Sequence, residues 1–176
     1  MGKQVKLRYA AYGSNLHPHR LGRRVPSCDL LGTSFLPDHA LHFHKQGMDG
    51  SGKCNIQAGG PGVYVAIYSI AATEKPLLDT FEHAGIGYAV STIDVPGFGS
   101  CFTYVANDAH IVDNLDPYCW YREMVVLGCH RLGFPTAYIS GITAVTPLRD
   151  PDHKRREAQW QLLAAMRETV RRPRKW

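Results

Sequence analysis

The run Val63-Tyr64-Val65-Ala66-Ile67-Tyr68 constrains this chain more than any other stretch. Unbroken β-branched and aromatic side chains fit the pleated surface of a sheet and crowd the turns of a helix. A sheet is therefore expected, and the other strand signals describe it. Val5 to Tyr12 alternates weakly and ends in Gly13, a first strand running into a turn. Leu30 to Phe35 and Ala40 to His44 read as two more strands, split by Pro37-Asp38. Tyr88 to Val95 and Ser100 to Val105 flank Pro96-Gly97-Phe98-Gly99, a hairpin signal. Residues 45–62, rich in Gly, Ser, Lys and Asn, read as a long loop with one short strand near Asn55.

Helix signals fall between and after these strands. Thr73 is the expected N-cap of a helix with Glu74 at its positive end and Pro76 in its first turn. That helix would carry Leu77, Leu78 and Phe81 and stop at Gly85. A longer helix is expected after Asp116-Pro117, running to about Leu132 and closed by Gly133, with a short one after Pro135. Asp150-Pro151 reads as the cap and first turn of a last helix burying Trp160, Leu163, Met166 and Val170 on one stripe. Strands first, with helices inserted and then appended, predict an α+β fold around a mainly antiparallel, barrel-like sheet.

Charge is unevenly placed. All of the net +5 resides in residues 149–176, where nine basic residues face four acidic ones; residues 1–148 carry 11 of each. A nucleic-acid surface across the neutral body is not expected, because phosphate neutralisation needs clustered Lys and Arg. The tail Arg171-Arg172-Pro173-Arg174-Lys175 has three readings: a solvated helix end complementing the negative pole, a nucleic-acid contact, or a docking site for an acidic carrier protein. The chain lacks any run of about 18 apolar residues, and its N-terminus lacks an apolar signal core. A single soluble, cytoplasmic domain without membrane attachment is the expectation. Its five cysteines form no C-x-x-C pair and read as reduced thiols.

Two segments could carry chemistry. Tyr9-Ala10-Ala11-Tyr12-Gly13-Ser14-Asn15-Leu16 takes a strand into a sharp turn, which can aim several backbone N–H groups at one place and so hold a carboxylate or an oxyanion. Gly-Ser-Asn is equally an ordinary turn. In Leu78-Asp79-Thr80-Phe81-Glu82-His83-Ala84-Gly85, the three-residue spacing of Asp79 and Glu82 puts both on one side of a helix. A carboxylate serving as a base near neutral pH needs burial beside apolar groups, and Phe81 is the neighbour on offer. Glu82 can also be a plain surface carboxylate. His17/His19 and His42/His44 are i,i+2 pairs of the kind that share a strand face, but with His39 and Cys28 they match no zinc spacing, so no metal is expected. Nucleophile-elbow, P-loop and dinucleotide fingerprints are absent.

Together these segments resemble the γ-glutamylcyclotransferase family. Tyr12 to Leu16 matches its Tyr-Gly-Ser-Asn-Leu loop. Leu78-Asp79-Thr80-Phe81-Glu82 followed by Tyr88 matches its catalytic segment, and Pro117, Tyr121 and Gly133-Phe134-Pro135-Thr136-Ala137-Tyr138 follow in order. His83 stands after Glu82 where the family often has Gly, and Ala89 follows Tyr88 where it often has a basic residue. The likeness spans roughly residues 5–142 and implies a catalytic domain over 1–148, with 149–176 a basic C-terminal helix and tail. It implies conversion of a γ-glutamyl amino acid or γ-glutamyl amine to 5-oxoproline, with Glu82 as general base and then acid; the alternatives are the same reaction on a carrier- or product-linked γ-glutamyl group in a biosynthetic pathway, or a non-catalytic module that binds small acids. It further implies that Tyr9, Ala10, Ala11, Tyr12, Gly13, Ser14, Asn15 and Tyr138 bind a small γ-glutamyl substrate, without a metal or organic cofactor.

Overall fold

The strand that the opening run announces is apolar on both faces, and the fold encloses it. In the computed structural model, which describes residues 5–171, the strands are β1 (Lys6–Ala11), β2 (Asp29–Leu36), β3 (His39–Gln46), β4 (Gly52–Ala58), β5 (Val63–Ala71), β6 (Tyr88–Val95) and β7 (Gly99–Ala106). Five form one sheet in the order β2-β5-β1-β7-β6, and β3 pairs with β4 in a separate hairpin. The β1–β7 pairing is parallel, and the other pairings in the sheet are antiparallel. Every residue of β5 except Tyr64 is buried, as its composition requires. The sheet curls without closing: its two edges meet where Ser34 Oγ donates to Pro96 O at 2.7 Å.

The short strand expected near Asn55 is present as β4, and it takes up more of the expected loop than the sequence suggests. Six of its seven residues pair with β3, from His39↔Ala58 to Gln46↔Gly52, with an irregularity between His42 and Lys45 opposite Cys54. Cys54, Asn55 and Ile56 are buried, and Asn55 Oδ1 accepts from Ala106 N of β7 at 2.8 Å. Pairing and burial against β7 outweigh a local sequence that reads as loop.

The helices are α1 (Pro18–Arg24), α2 (Lys75–Glu82), α3 (Cys119–Arg131), α4 (Thr136–Thr143) and α5 (His153–Arg171). The first had no counterpart in the sequence reading. His17 and His19 therefore lie at a helix start, not on a strand, and His17 Nδ1 caps α1 by accepting from His19 N at 3.2 Å. A 3-10 turn (Ala72–Glu74) precedes α2, so Glu74 rather than Thr73 occupies the N-cap position. This helix stops at Glu82, three residues before Gly85, where His83 takes a left-handed φ of +51° and donates its N–H to Thr80 O. Leu78 alone of the three expected residues is buried; Leu77 and Phe81 are exposed.

The third and fourth helices follow Pro117 and Pro135 as expected, with Gly133 at φ +69° after α3. Asp152, not Asp150, caps α5, its Oδ1 accepting from Arg155 N at 2.9 Å. On that helix Leu163 and Met166 are fully buried in the core, whereas Trp160 is 39% exposed. The side chains of Val170 and of the basic run from Arg171 lie outside the described residues.

Candidate active site

The loop after β1 is gripped from three sides. Tyr12 and Gly13 lead into a 3-10 turn, Ser14–Leu16. A Cβ on Gly13 would stand 2.9 Å from Cys54 Cβ, so only glycine lets the β3–β4 hairpin approach this closely. On the other side Gly128 of α3 admits the loop, since a Cβ there would lie 2.7 Å from Leu16 Cβ. From β5, Tyr68 OH donates to Leu16 O at 2.7 Å.

The end of α2 brings Glu82 to this loop. Its Oε1 accepts from Asn15 Nδ2 at 2.9 Å and from Arg24 Nη1 at 2.8 Å. Arg24 also reaches Asn15 Oδ1 at 3.0 Å, and Asn15 Nδ2 reaches Tyr9 OH at 3.1 Å. The four side chains form one polar knot, in which Glu82 Oε2 accepts no hydrogen bond from the described residues. Phe81 does not bury the carboxylate as the sequence suggests; it is exposed and lies under the Arg24 guanidinium at 5.0 Å. Asp79 is held apart by Lys75 at 2.8 Å and by Tyr104 OH at 2.7 Å.

Two connected cavities meet at Glu82. The inner one is a cleft of about 20 Å³, lined by Tyr9, Tyr12, Gly13, Ser14, Asn15, Cys54 and Glu82 with Tyr88, Tyr104 and Tyr121. Its hydroxyls are mostly committed: Tyr12 OH donates to Tyr104 O, Tyr88 OH donates to Cys54 O at 2.6 Å, and Tyr121 OH accepts from Cys54 N at 3.1 Å. Tyr9 OH accepts from Asn15, which leaves its own proton to give. Burial, then the nearby Glu82 charge, raises the Tyr9 pKa and keeps that proton on the phenol. Burial likewise pushes the Cys54 thiol up to about 12, so it is a neutral wall and not a nucleophile near pH 7.

The outer cavity is a chamber of about 280 Å³ that shares Ser14, Glu82, Tyr88 and Tyr121 with the cleft. Arg20 and Arg24 enter it four residues apart from one face of α1, Lys45 from β3, Lys53 from β4, and Gln159 from α5. None of these five was singled out from the sequence. A signal for α1 was present in Pro18 at a first-turn position with Arg23-Arg24 closing the last turn, but seven residues give little periodicity to read. Asp150, buried in front of α5, ties the chamber wall together through Trp120 Nε1 at 2.9 Å and Arg155 Nε at 2.7 Å.

Of the other expected site residues, Ala10 and Ala11 are fully buried in the core and line neither cavity. Tyr138 packs against Tyr64 at 5.0 Å and Phe134 at 6.1 Å and also lines neither. His42 and His44 stack at 4.6 Å on β3. Among the described residues no three His, Cys, Asp or Glu side chains are grouped to hold a metal, and no helix is long and apolar enough to cross a membrane.

No protein-family model and no curated protein matches the sequence. Solved structures do match. A γ-glutamyl cyclotransferase superimposes with a TM-score of 0.79 at 24% identity, over 92% of this chain and 99% of that one. An uncharacterized protein of Homo sapiens gives 0.78 at 24%, over 90% and 98%. YkqA of Bacillus subtilis gives 0.70 at 16% identity, over 82% of this chain and 57% of its own length. Likeness at this level of identity is a likeness of architecture, and the architecture of this chain is the γ-glutamylcyclotransferase fold.

Proposed function

We propose that the protein is a γ-glutamylcyclotransferase, releasing 5-oxoproline and a free amine from a small γ-glutamyl compound. The observation that carries this reading is the position of Glu82, at the junction of cleft and chamber with one carboxylate oxygen anchored and the other unengaged. An acidic group so placed is poorly suited to holding an anion by itself and well suited to moving a proton.

The reaction joins two groups of one molecule. The α-amine attacks the γ-carbonyl, the C–N bond to the leaving amine breaks, and a five-membered lactam forms. The protein's task is to hold the curled conformer and manage protons. Arg24 and Asn15 fix Oε1, so Oε2 faces the substrate, takes a proton from the attacking α-ammonium, and returns one to the departing amine nitrogen. A cleft of about 20 Å³ has room for roughly one water-sized group, which suits the carbonyl oxygen as it gains charge. Its donors there are Tyr9 OH and the leading N–H groups of the Ser14 turn, which a 3-10 turn leaves without partners inside itself. The rest of the glutamyl group spans the mouth, and the amine portion occupies the chamber.

The test is direct: the purified chain is incubated with γ-glutamyl amino acids, glutathione, γ-glutamylamines and ε-(γ-glutamyl)lysine, and 5-oxoproline is followed by mass. At least one compound should turn over. Binding of γ-glutamyl compounds without any turnover would replace the enzyme with a small-acid-binding module.

A further inference from the structure

Charge in the outer chamber does not balance within the protein. Four cations line it, Arg20, Arg24, Lys45 and Lys53, against two carboxylates, Asp49 and Glu82. Arg24 is spent on Glu82 and Lys53 on Asp49, each at 2.8 Å. That leaves Arg20 and Lys45, only 8% and 5% exposed. Neither makes an ion pair with any described residue, and among those residues the buried Nε of Arg20 has no hydrogen-bond partner. Among the described residues the Lys45 side chain makes no hydrogen bond; its ammonium lies 4.7 Å from the centre of the Tyr88 ring, and Glu82 and Asp49 act on it only from beyond ion-pair distance.

A buried charge without a counter-ion is costly, and proteins keep such groups where a ligand completes them. Burial lowers the pKa of both side chains, which measures the same unfavourable desolvation. The two cations come from elements far apart in sequence, α1 and β3, and converge on one space beside Glu82.

We propose that this chamber is built for a dianionic amine portion, so that the preferred substrates are γ-glutamyl derivatives of dicarboxylic amino acids, with Arg20 and Lys45 as the specificity-determining residues. The inference rests on the reading of Glu82 as the proton-transfer residue, which places the leaving amine in the chamber. One carboxylate of the amine portion pairs with Arg20, whose planar fork can hold it by two hydrogen bonds, and the other with Lys45.

The experiment compares γ-glutamyl-glutamate with γ-glutamyl-glutamine, which differ by one charge at nearly constant shape. A kcat/KM for 5-oxoproline release at least about tenfold higher for the glutamate compound is expected, since the neutral amide leaves one buried cation unpaired. Lys45→Met and Arg20→Met should each collapse that ratio through KM, and Lys45→Arg should restore it in part. Should Arg20→Met fail to fold, Lys45→Met decides alone. Equal use of the two compounds overturns this inference and leaves the cyclotransferase reading standing. If neither compound yields 5-oxoproline while another γ-glutamyl compound does, this inference alone is overturned. If no γ-glutamyl compound does, the cyclotransferase reading fails and calorimetric titration of the wild-type protein with free L-glutamate and L-glutamine decides: tighter glutamate binding, lost in Lys45→Met, supports the dianion site, and equal or absent binding overturns it.

Discussion

Cleft and chamber share Glu82 and are otherwise built from different materials. The cleft is made of glycine, serine, asparagine and tyrosines whose hydrogen bonds run to one another, to the β4 and β7 backbones, to Asp79 from Tyr104, and to Glu82 and Arg24 at Asn15. Apart from Glu82 it carries no charge near neutral pH, because burial keeps its phenols and the Cys54 thiol protonated. The chamber is rich in charge, and two of its cations await a partner. Neutral groups held in place by one another, with the Tyr9 proton and the leading N–H groups of the Ser14 turn left to donate, give a rigid place for a carbonyl oxygen to develop charge. Unpaired cations give affinity and selectivity for what is attached to it. The difference assigns chemistry to the cleft and recognition to the chamber, and each half can be disturbed separately.

Apart from loss of the reacting acid itself, the largest effect is expected from Gly13→Ala. Its new Cβ would force the loop and Cys54 apart, moving the Ser14 turn relative to Glu82. Overpacking of this kind costs about 1–3 kcal/mol, and a displacement near 1 Å lowers catalysis roughly 100-fold. Thermal melting and kcat report the two. An unchanged kcat would show that the cleft is not where the reaction happens.

A smaller effect, on the chamber side, is expected from Asp150→Asn. Asp150 is fully buried between Trp120 Nε1, Arg155 and Asp152 N. Burial would raise its pKa, but hydrogen bonds from Arg155 and Trp120 outweigh that and hold it at about 2. Its contribution to stability is therefore complete above the unfolded value near 4 and fades as pH falls through about 2. The substitution should cost about 2 kcal/mol at neutral pH, less than a fully enclosed ion pair because Arg155 is partly exposed. Denaturant unfolding measures it; KM should rise more than kcat falls. A loss confined to kcat would erase the proposed division of labour.

The smallest effect, and the one most limited to conditions, concerns His17, which caps the helix carrying Arg20 and Arg24. Burial, followed by His19 and Arg131, lowers its pKa from 6.5 to about 4. Between those values the unfolded chain binds a proton that the folded chain refuses, so stability is full above pH 6.5 and declines as pH drops toward 4. His17→Asn keeps a capping side chain and removes the titration. Stability near pH 7 should change by less than about 1 kcal/mol, while the decline between pH 6.5 and 4 should flatten by up to about 3 kcal/mol. An equally steep decline in the variant would assign the pH dependence to other groups.

The same two regions divide in how far the sequence discloses them. Tyr12 to Asn15 and Glu82 stand in short local motifs, so the cleft's loop and its acid were both readable, and the paired strands around Pro96-Gly97 were readable for the same reason. Nothing local marks Arg20 or Lys45. Lysines and arginines are ordinarily solvated, and only the packing of α1, β3 and α5 around one space removes the water from these two. A short strand near Asn55 was legible, but the length of β4 was masked by its polar composition, since burial against β7 and not propensity extends it. In the last helix Leu163 and Met166 follow the stripe, but Trp160 on the same stripe lies beyond the reach of the core. The acidic pair before that helix shows the limit most simply. Asp150 was read as the cap, but it is buried against the Trp120 N–H as an ion-pair centre, and Asp152 caps α5 instead.

The central claim is that Glu82 moves the protons of an intramolecular cyclisation. The most direct measurement is 5-oxoproline release by Glu82→Gln beside the wild-type chain, on whichever γ-glutamyl compound turns over, with matched thermal melts. The amide keeps the shape of the carboxylate and can still accept from Arg24 and Asn15, but it cannot take a proton. A kcat reduced by about 10²- to 10⁴-fold in a folded variant is the predicted result; release within a few-fold of wild type would contradict the account.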